Sequence, residues 1–172
     1  MLKRTVVLAL TVPVVFAVLG VLAVAQAQRA RQSLTALDYA EIQQLYSRYA
    51  IGVDSGNGDM FGGVFTPDGT FVLPGRTIQG RKQLTEIAAS PGDNKGPTNV
   101  SHVAVNMVIE PTPEGASGTS YFLRVKIGQK GEPSTLTGGG IYRDTFVKTS
   151  EGWRIKKRVV QPAHSMPPTN TQ

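Results

Sequence analysis

The spacing of apolar residues changes part-way along the chain, and this change restricts the possible folds more than any other feature. Between residues 35 and 53 the large apolar side chains recur every three, four or five positions, as on a helix with one buried face: Leu37, Ile42, Leu45, Tyr46, Tyr49 and Val53. From residue 103 onward apolar and other residues alternate one by one, as in strands with one buried face. Helices followed by strands predict an α+β domain with the helices packed on one face of a sheet.

Turn-forming residues divide these regions into separate elements. The cluster at residues 55–58 ends the first helix, and we predict a short helix at 59–64, a strand at 70–73 and an amphipathic helix at 80–89. Residues 66–69 (Thr-Pro-Asp-Gly) predict a turn and residues 90–99 a loop. Strands predicted at 103–109, 119–127, 141–148 and 153–160 have short connections, which indicates an antiparallel meander. We expect the curved sheet, half-covered by helices, to leave a cone-shaped cavity between the layers for a small ligand.

The first 27 residues have the features of an export signal. Lys3 and Arg4 precede an uncharged run, and Ala25-Gln26-Ala27 places small residues at a cleavage site before Gln28. The run is also long enough for a membrane anchor, which takes about 20 residues. Both interpretations place the rest of the chain outside the cytoplasmic membrane, periplasmic or secreted. Residues 28–34 are then a linker, residues 35–162 a domain and residues 163–172 a flexible tail.

Composition excludes several classes of function. The chain has no cysteine, so disulfides, thiolate nucleophiles, lipid attachment through cysteine and cysteine-ligated metals are excluded. The net charge is +6, but without residues 1–27 the chain has 16 basic and 12 acidic side chains, a net of +4 that does not indicate nucleic-acid binding. The GxSxG, GxGxxG, Walker and HExxH motifs are absent, so nothing indicates a serine hydrolase, a nucleotide-binding protein or a zinc protease.

Few side chains of the domain are suited to proton transfer. His102 begins the first strand of the meander, whereas His164 lies in the tail, where we expect no role. His102 serves either as a proton-transfer group or as a half-buried residue that holds a strand end. Asp54 lies just past the first helix, where the helix dipole disfavours a carboxylate; it is either functional or part of an Asx turn. Tyr49, taken alone, is a core residue.

Three further residues are candidates for contact with a ligand. Tyr46 shares a helix face with Tyr49, and Tyr142 lies on the third strand of the meander. Arg158 alternates with Arg154 and Lys156 on the last strand. We expect these basic residues to form a solvated face from which one can reach the cavity mouth and hold an anionic ligand.

Five segments of the chain carry a family resemblance: RYAIGVD (48–54), FTPDGTF (65–71), SHVAVNMVIE (101–110), GGIYRDTF (139–146) and EGWRIKKR (151–158). Together they resemble the SnoaL-like branch of the nuclear transport factor 2 superfamily, which includes ketosteroid isomerase, scytalone dehydratase and bile-acid 7α-dehydratase. The resemblance covers residues 35–162 and implies the cone-shaped α+β barrel. This fold hosts enzymes and binding proteins alike.

The resemblance also implies a set of catalytic residues. In dehydratases of this group, a Tyr and an Asp around the end of the first helix and a His that begins a strand form the acid–base set. Tyr49, Asp54 and His102 occupy the matching positions. Two other family positions lack a match, because the second catalytic His of scytalone dehydratase falls near Ile127 and the late Arg of the bile-acid enzyme falls near Pro162.

These observations predict a lyase or isomerase of the dehydratase type, acting on a small hydrophobic molecule such as a polyketide, steroid or terpenoid. No metal or organic cofactor is required. His102 is expected to abstract a proton α to a carbonyl, Asp54 to orient the imidazole and Tyr49 to donate a hydrogen bond to the enolate or the leaving hydroxyl.

Two alternatives remain: a non-catalytic binding protein with the same cavity, and a dimerisation module that pairs through the open sheet face. The expected partners are a small hydrophobic ligand and a second copy of the chain, and not nucleic acid. A membrane is expected as a partner only through an uncleaved N-terminal segment.

Overall fold

The computed structural model of this chain describes residues 33–89 and 99–162. The predicted export signal, most of the linker, most of the predicted loop at 90–99 and His164 lie outside the described residues. Among the residues described, no helix combines the length and the apolar character that a bilayer crossing needs.

The described chain forms three helices and six strands, which confirms the α+β class. The helices are α1 (Ala36–Ser55), α2 (Gly58–Gly63) and α3 (Arg81–Ala89). The strands are β1 (Phe65–Leu73), β2 (Arg76–Gln79), β3 (Val100–Thr112), β4 (Gly115–Lys126), β5 (Thr135–Thr149) and β6 (Gly152–Pro162). They form one curved, unclosed sheet in the order β2-β1-β6-β5-β4-β3. The antiparallel meander β3–β6 has the predicted connectivity, whereas the parallel pairing of β1 with β6 was not predicted.

Hydrogen bonds to one carboxylate determine where α1 begins. Thr35 is the N-cap residue and forms a capping box with Asp38. The Asp38 carboxylate also accepts hydrogen bonds from Lys148 Nζ at 2.7 Å and Trp153 Nε1 at 2.8 Å. These bonds, with that of Lys148 first, hold the pKa of Asp38 far below its ordinary value. Asp38 therefore ties the start of α1 to the β5–β6 hairpin.

An aromatic cluster holds the second half of α1 against the neighbouring elements. The Tyr49 ring centroid lies 4.8 Å from that of Phe61 on α2, and 6.4 Å and 6.0 Å from those of Phe65 and Phe71 on β1. Each such pair contributes about 0.5–1.5 kcal/mol beyond the burial of its surface. The cluster fixes the end of α1 over the sheet, where it can present side chains to a cavity.

Strand β1 begins five residues before the predicted start, and β2 was missed. The Thr-Pro-Asp-Gly segment is an irregularity within β1, because the register against β6 shifts between Phe65 and Thr70. A two-residue turn then joins Leu73 to its partner Arg76, with Gly75 at φ 73°. Strand β2 has only four residues, and Ile78 is its single buried residue. Its sequence therefore shows no clear alternation.

A bulge in β3 corrects the predicted alternation of that strand. The register against β4 shifts between Val105 and Val108, and Asn106 lies within the shift at φ 53°. Val103 is therefore exposed while Ile109 is buried. Strict alternation from residue 103 would place both of these residues on one face of β3, but the bulge puts them on opposite faces.

A second bulge, in β6, changes the position of an arginine. Lys156 is the extra residue, because Ile155 and Lys157 pair with adjacent residues of β5. Ile155 and Arg158 are both fully buried, although they are three positions apart. The predicted solvated face of Arg154, Lys156 and Arg158 is thus wrong for Arg158, which points into the interior.

Candidate active site

Asp54 and His102 form a hydrogen-bonded pair, although 48 positions separate them in the chain. Asp54 Oδ1 lies 2.5 Å from His102 Nδ1, and Asp54 Oδ2 accepts a hydrogen bond from the His102 backbone N–H at 2.8 Å. Both side chains are about one-fifth exposed. The two contacts fix the position of the strand end and the orientation of the imidazole ring together.

The positions of the two residues explain why they pair. Asp54 was predicted just past the first helix, but it lies in the last turn of α1, which continues to Ser55. A carboxylate there faces the negative end of the helix dipole and needs donors to offset the cost. His102 lies near the start of β3, and its backbone N–H and imidazole supply two such donors.

The pairing also determines which ring nitrogen of His102 is available. An ionised carboxylate only accepts hydrogen bonds, so Nδ1 carries the proton that is donated to Asp54. In the neutral imidazole Nε2 then carries the free lone pair. Nε2 is therefore the atom of His102 that can accept a proton from a ligand.

His102 lines a cavity of about 260 Å³ between the helices and the sheet. Eight of the twelve lining residues are apolar: Val53, Phe61, Phe71, Leu73, Ile87, Ala88, Phe122 and Val160. The polar lining consists of Tyr49, His102, Arg124 and Tyr142. This combination of an apolar wall with a few polar groups suits a small hydrophobic ligand.

The two cavity tyrosines are suited to donate hydrogen bonds. Burial raises the pKa of both the Tyr49 and the Tyr142 phenol above its ordinary value, against the lowering effect of the Arg158 charge. Both phenols therefore stay protonated at neutral pH. The ring of Tyr142 is stacked on Phe122, with 4.3 Å between centroids, which holds its position.

Arg158 supports the tyrosines from inside the fold. Its Nε and Nη2 each donate to the Asp144 carboxylate at 2.8 Å, and both side chains are completely buried. The guanidinium carbon lies 4.2 Å from the ring centroids of Tyr49 and Tyr142 and 4.8 Å from that of Tyr46. Burial alone lowers the pKa of Arg158, but the Asp144 carboxylate outweighs it, so the pKa is raised and the side chain stays charged.

The sequence-predicted site residues separate into two groups. The first is close to the cavity: Tyr49, His102 and Tyr142 line it, and Asp54 bonds to His102. The second is set back from it. Arg158 does not line the cavity, and Tyr46 lines a second cavity of about 260 Å³, which His102 also borders.

Two residues of the site were missed in the sequence. Arg124 lines the cavity, and Asp144 pairs with Arg158. Arg124 could have been found because it lies two residues after Phe122, on the same face of a predicted strand. Asp144 lies two residues after Tyr142 in the same way. Within residues 33–89 and 99–162 no group of three or more potential metal-ligating side chains is found.

Comparison with known proteins identifies the family. The family model of the SnoaL-like domain matches residues 34–159, most of the chain. This chain is a SnoaL-like protein. The resemblance predicted from the five sequence segments is therefore confirmed. No curated protein matches the chain significantly.

Solved structures confirm the fold of the SnoaL-like protein. A Mycobacterium tuberculosis protein of unknown function is 26% identical with a TM-score of 0.64, covering 73% of this chain and 71% of that one. A nuclear transport factor 2-like protein with a cystatin-like fold from Novosphingobium aromaticivorans is 20% identical with a TM-score of 0.64, covering 82% and 90%. A proposed scytalone dehydratase from the same organism is 23% identical with a TM-score of 0.59, covering 73% and 83%.

Proposed function

We propose that this SnoaL-like protein is a cofactor-independent acid–base enzyme, a lyase or isomerase of the dehydratase type that acts on a small hydrophobic molecule. The observation that carries the proposal is the Asp54–His102 pair in the wall of an apolar cavity that two protonated phenols also line. The similarity to a proposed scytalone dehydratase favours a dehydratase among the reactions open to this fold.

In this mechanism His102 is the general base. Its Nε2 accepts a proton from the carbon α to a carbonyl of the substrate. Asp54 holds the tautomer and stabilises the imidazolium that forms, as a carboxylate does for a catalytic histidine in other enzymes. Proton transfer by a positioned group contributes roughly 10²–10⁴-fold to the rate.

Tyr49 and Tyr142 are the hydrogen-bond donors. The negative charge that develops on the carbonyl oxygen is stabilised by a phenol O–H, which is worth about 3–4 kcal/mol in a site that excludes water. In an elimination the imidazolium returns its proton to the β-hydroxyl, which leaves as water. In an isomerisation the same proton returns to another carbon of the substrate. We assign Arg158 the role of holding the cavity tyrosines, because it contacts both of their rings without lining the cavity. Tyr46 contacts Arg158 and lines the second cavity, so we assign it no direct role in the reaction.

The cavity lining narrows the class of substrate. A volume of about 260 Å³ with an aromatic wall accommodates a compact ring system such as a fused aromatic or a cyclised polyketide.

Substitution of the pair tests this function. We expect His102→Gln and Asp54→Asn to lower kcat for dehydration of a cyclic β-hydroxy ketone by at least roughly 10²-fold, because each removes the base or its orientation. Turnover is followed by absorbance of the conjugated enone, and exchange of the α-proton in heavy water by NMR. Asp59→Asn is the matched control, since Asp59 is an exposed acid on α2.

Unchanged α-proton exchange in both site variants, with the wild-type melting temperature, would contradict the mechanism. A ligand recovered chemically unaltered from the wild-type protein, across a panel of such ketones, would favour the binding protein instead. We further propose that the domain is exported, which N-terminal sequencing of the protein recovered from outside the cytoplasm tests.

A further inference from the structure

Arg124 occupies a position in the candidate site that the acid–base mechanism does not use. It pairs directly with His102 in the β3–β4 register. Directly opposed residues of antiparallel strands project to the same face with about 5 Å between their Cβ atoms. Both side chains line the same cavity, so the guanidinium and the imidazole meet the same ligand.

The inward-facing residues of β4 show that Arg124 lies at the cavity mouth. Along that face Ser120 is 1% exposed and Phe122 is 7% exposed, whereas Arg124 is exposed to solvent. The strand therefore passes from the closed end of the cavity to its opening. The backbone at this point is held by a hydrogen bond from Thr137 Oγ1 to the Arg124 carbonyl at 3.1 Å.

Among the residues that the structure describes, the guanidinium of Arg124 has no ion-pair partner, so its donors are available to a ligand. Other arginines differ: Arg158 is bonded to Asp144, Arg81 to the Phe65 carbonyl and Arg143 to Gln161. Among the described residues that line the cavity, none carries a carboxylate that would compete for those donors.

We propose that Arg124 binds a carboxylate group of the substrate at the cavity mouth, so that the substrate is an aromatic or alicyclic acid. The planar fork of the guanidinium matches the two oxygens of a carboxylate. The apolar body of such an acid lies against Phe122 and the other apolar lining. With the carboxylate held at Arg124, the carbon acid near His102 takes a fixed orientation.

A binding experiment tests the proposal with two probes of nearly the same shape, 1-naphthoate and its neutral analogue 1-naphthamide. Wild-type and variant proteins are titrated at the same pH, so any contribution of the other lining residues is common to both and the change in preference reports on the guanidinium. We expect the wild-type protein to bind the naphthoate about tenfold more tightly than the amide in calorimetric titrations. We expect Arg124→Gln to bring this ratio to about one, and Arg124→Lys to retain part of it.

Arg76→Gln is the matched control, because Arg76 is an exposed arginine on β2, at the far edge of the sheet from β3. It should leave the ratio unchanged. A ratio that is the same in wild-type and Arg124→Gln protein overturns the proposal, as does a wild-type protein that prefers the amide or binds neither probe.

The inference rests on the proposed function only in taking this cavity as the substrate site. The two fail separately. Loss of the naphthoate preference in Arg124→Gln together with unchanged turnover in His102→Gln refutes the acid–base mechanism and leaves carboxylate recognition in place. Loss of turnover in His102→Gln together with an unchanged naphthoate preference in Arg124→Gln refutes carboxylate recognition and leaves the acid–base mechanism in place.

Discussion

At the scale of single residues, charged pairs among the described residues join separate elements of the fold. Arg158 and Asp144 are fully buried and link β6 to β5. Removing one partner of such a pair leaves an uncompensated charge, which costs about 3–5 kcal/mol. Asp54 with His102 and Asp38 with Lys148 and Trp153 join α1 to the sheet in the same way.

Asp38 is expected to make stability depend on pH. Its pKa is lowered in the folded protein, by Lys148 above all, whereas in the unfolded chain it is about 3.9. A carboxyl group with a lowered folded-state pKa stabilises the fold above the unfolded pKa, and this contribution is lost as the pH falls. Unfolding by urea at several pH values should show stability decreasing below about pH 4, and more gently in Asp38→Asn.

At the scale of elements, close packing of two short helices positions one wall of the cavity. Gly58 and Gly62 of α2 lie against Thr85 of α3. A Cβ atom on Gly58 would lie 2.3 Å from the Thr85 backbone oxygen, which leaves no room for a side chain. Ile87 and Ala88 of α3 line the cavity, so the spacing of the two helices affects the site.

Alanine substitutions in α2 test this packing. Gly58→Ala should destabilise the protein by about 1–3 kcal/mol, because the helices must separate. Gly63→Ala is the matched control on the same helix, since nothing lies within 4 Å of its added Cβ; it should be neutral or stabilising by up to about 1 kcal/mol. Equal free energies of unfolding for the two variants, measured in urea, would contradict the close approach.

At the scale of the whole molecule, the sheet has an apolar outer surface. Tyr121, Leu123 and Leu136 line a groove of about 460 Å³ on β4 and β5. Exposed apolar patches of this kind mark interaction surfaces. The occupant that we propose is a second copy of the chain, as predicted from the open sheet face.

Sedimentation of two variants tests the dimer. Leu136 is 66% exposed on this surface and Leu37 is 64% exposed on α1, so they form a matched pair. We expect the wild-type protein to be a dimer at micromolar concentration. Leu136→Lys should dissociate the dimer, because the interface would then bury an unpaired charge. Leu37→Lys should leave the dimer intact. A monomeric wild-type protein would contradict the proposed interface.

The sequence alone was sufficient for the class of fold and for several residues of the candidate site, whose catalytic role stays a prediction. Helical spacing in α1 and alternation in β3–β6 are local properties, because each reflects which side chains one element must bury. The segments that resemble SnoaL-like proteins led to Tyr49, Asp54 and His102. Their places around the end of α1 and at the start of β3 follow from their positions in the chain, although Asp54 was expected just past the helix and lies in its last turn.

The tertiary structure determines which faces of the helices and strands contact one another. Arg158 is buried because the bulge at Lys156 reverses the alternation of β6, and a bulge depends on pairing with the neighbouring strand. Arg124 faces His102 only in the register that β3 and β4 adopt. Strand register and the parallel pairing of β1 with β6 join residues far apart in the chain. No local pattern of side chains therefore specifies them.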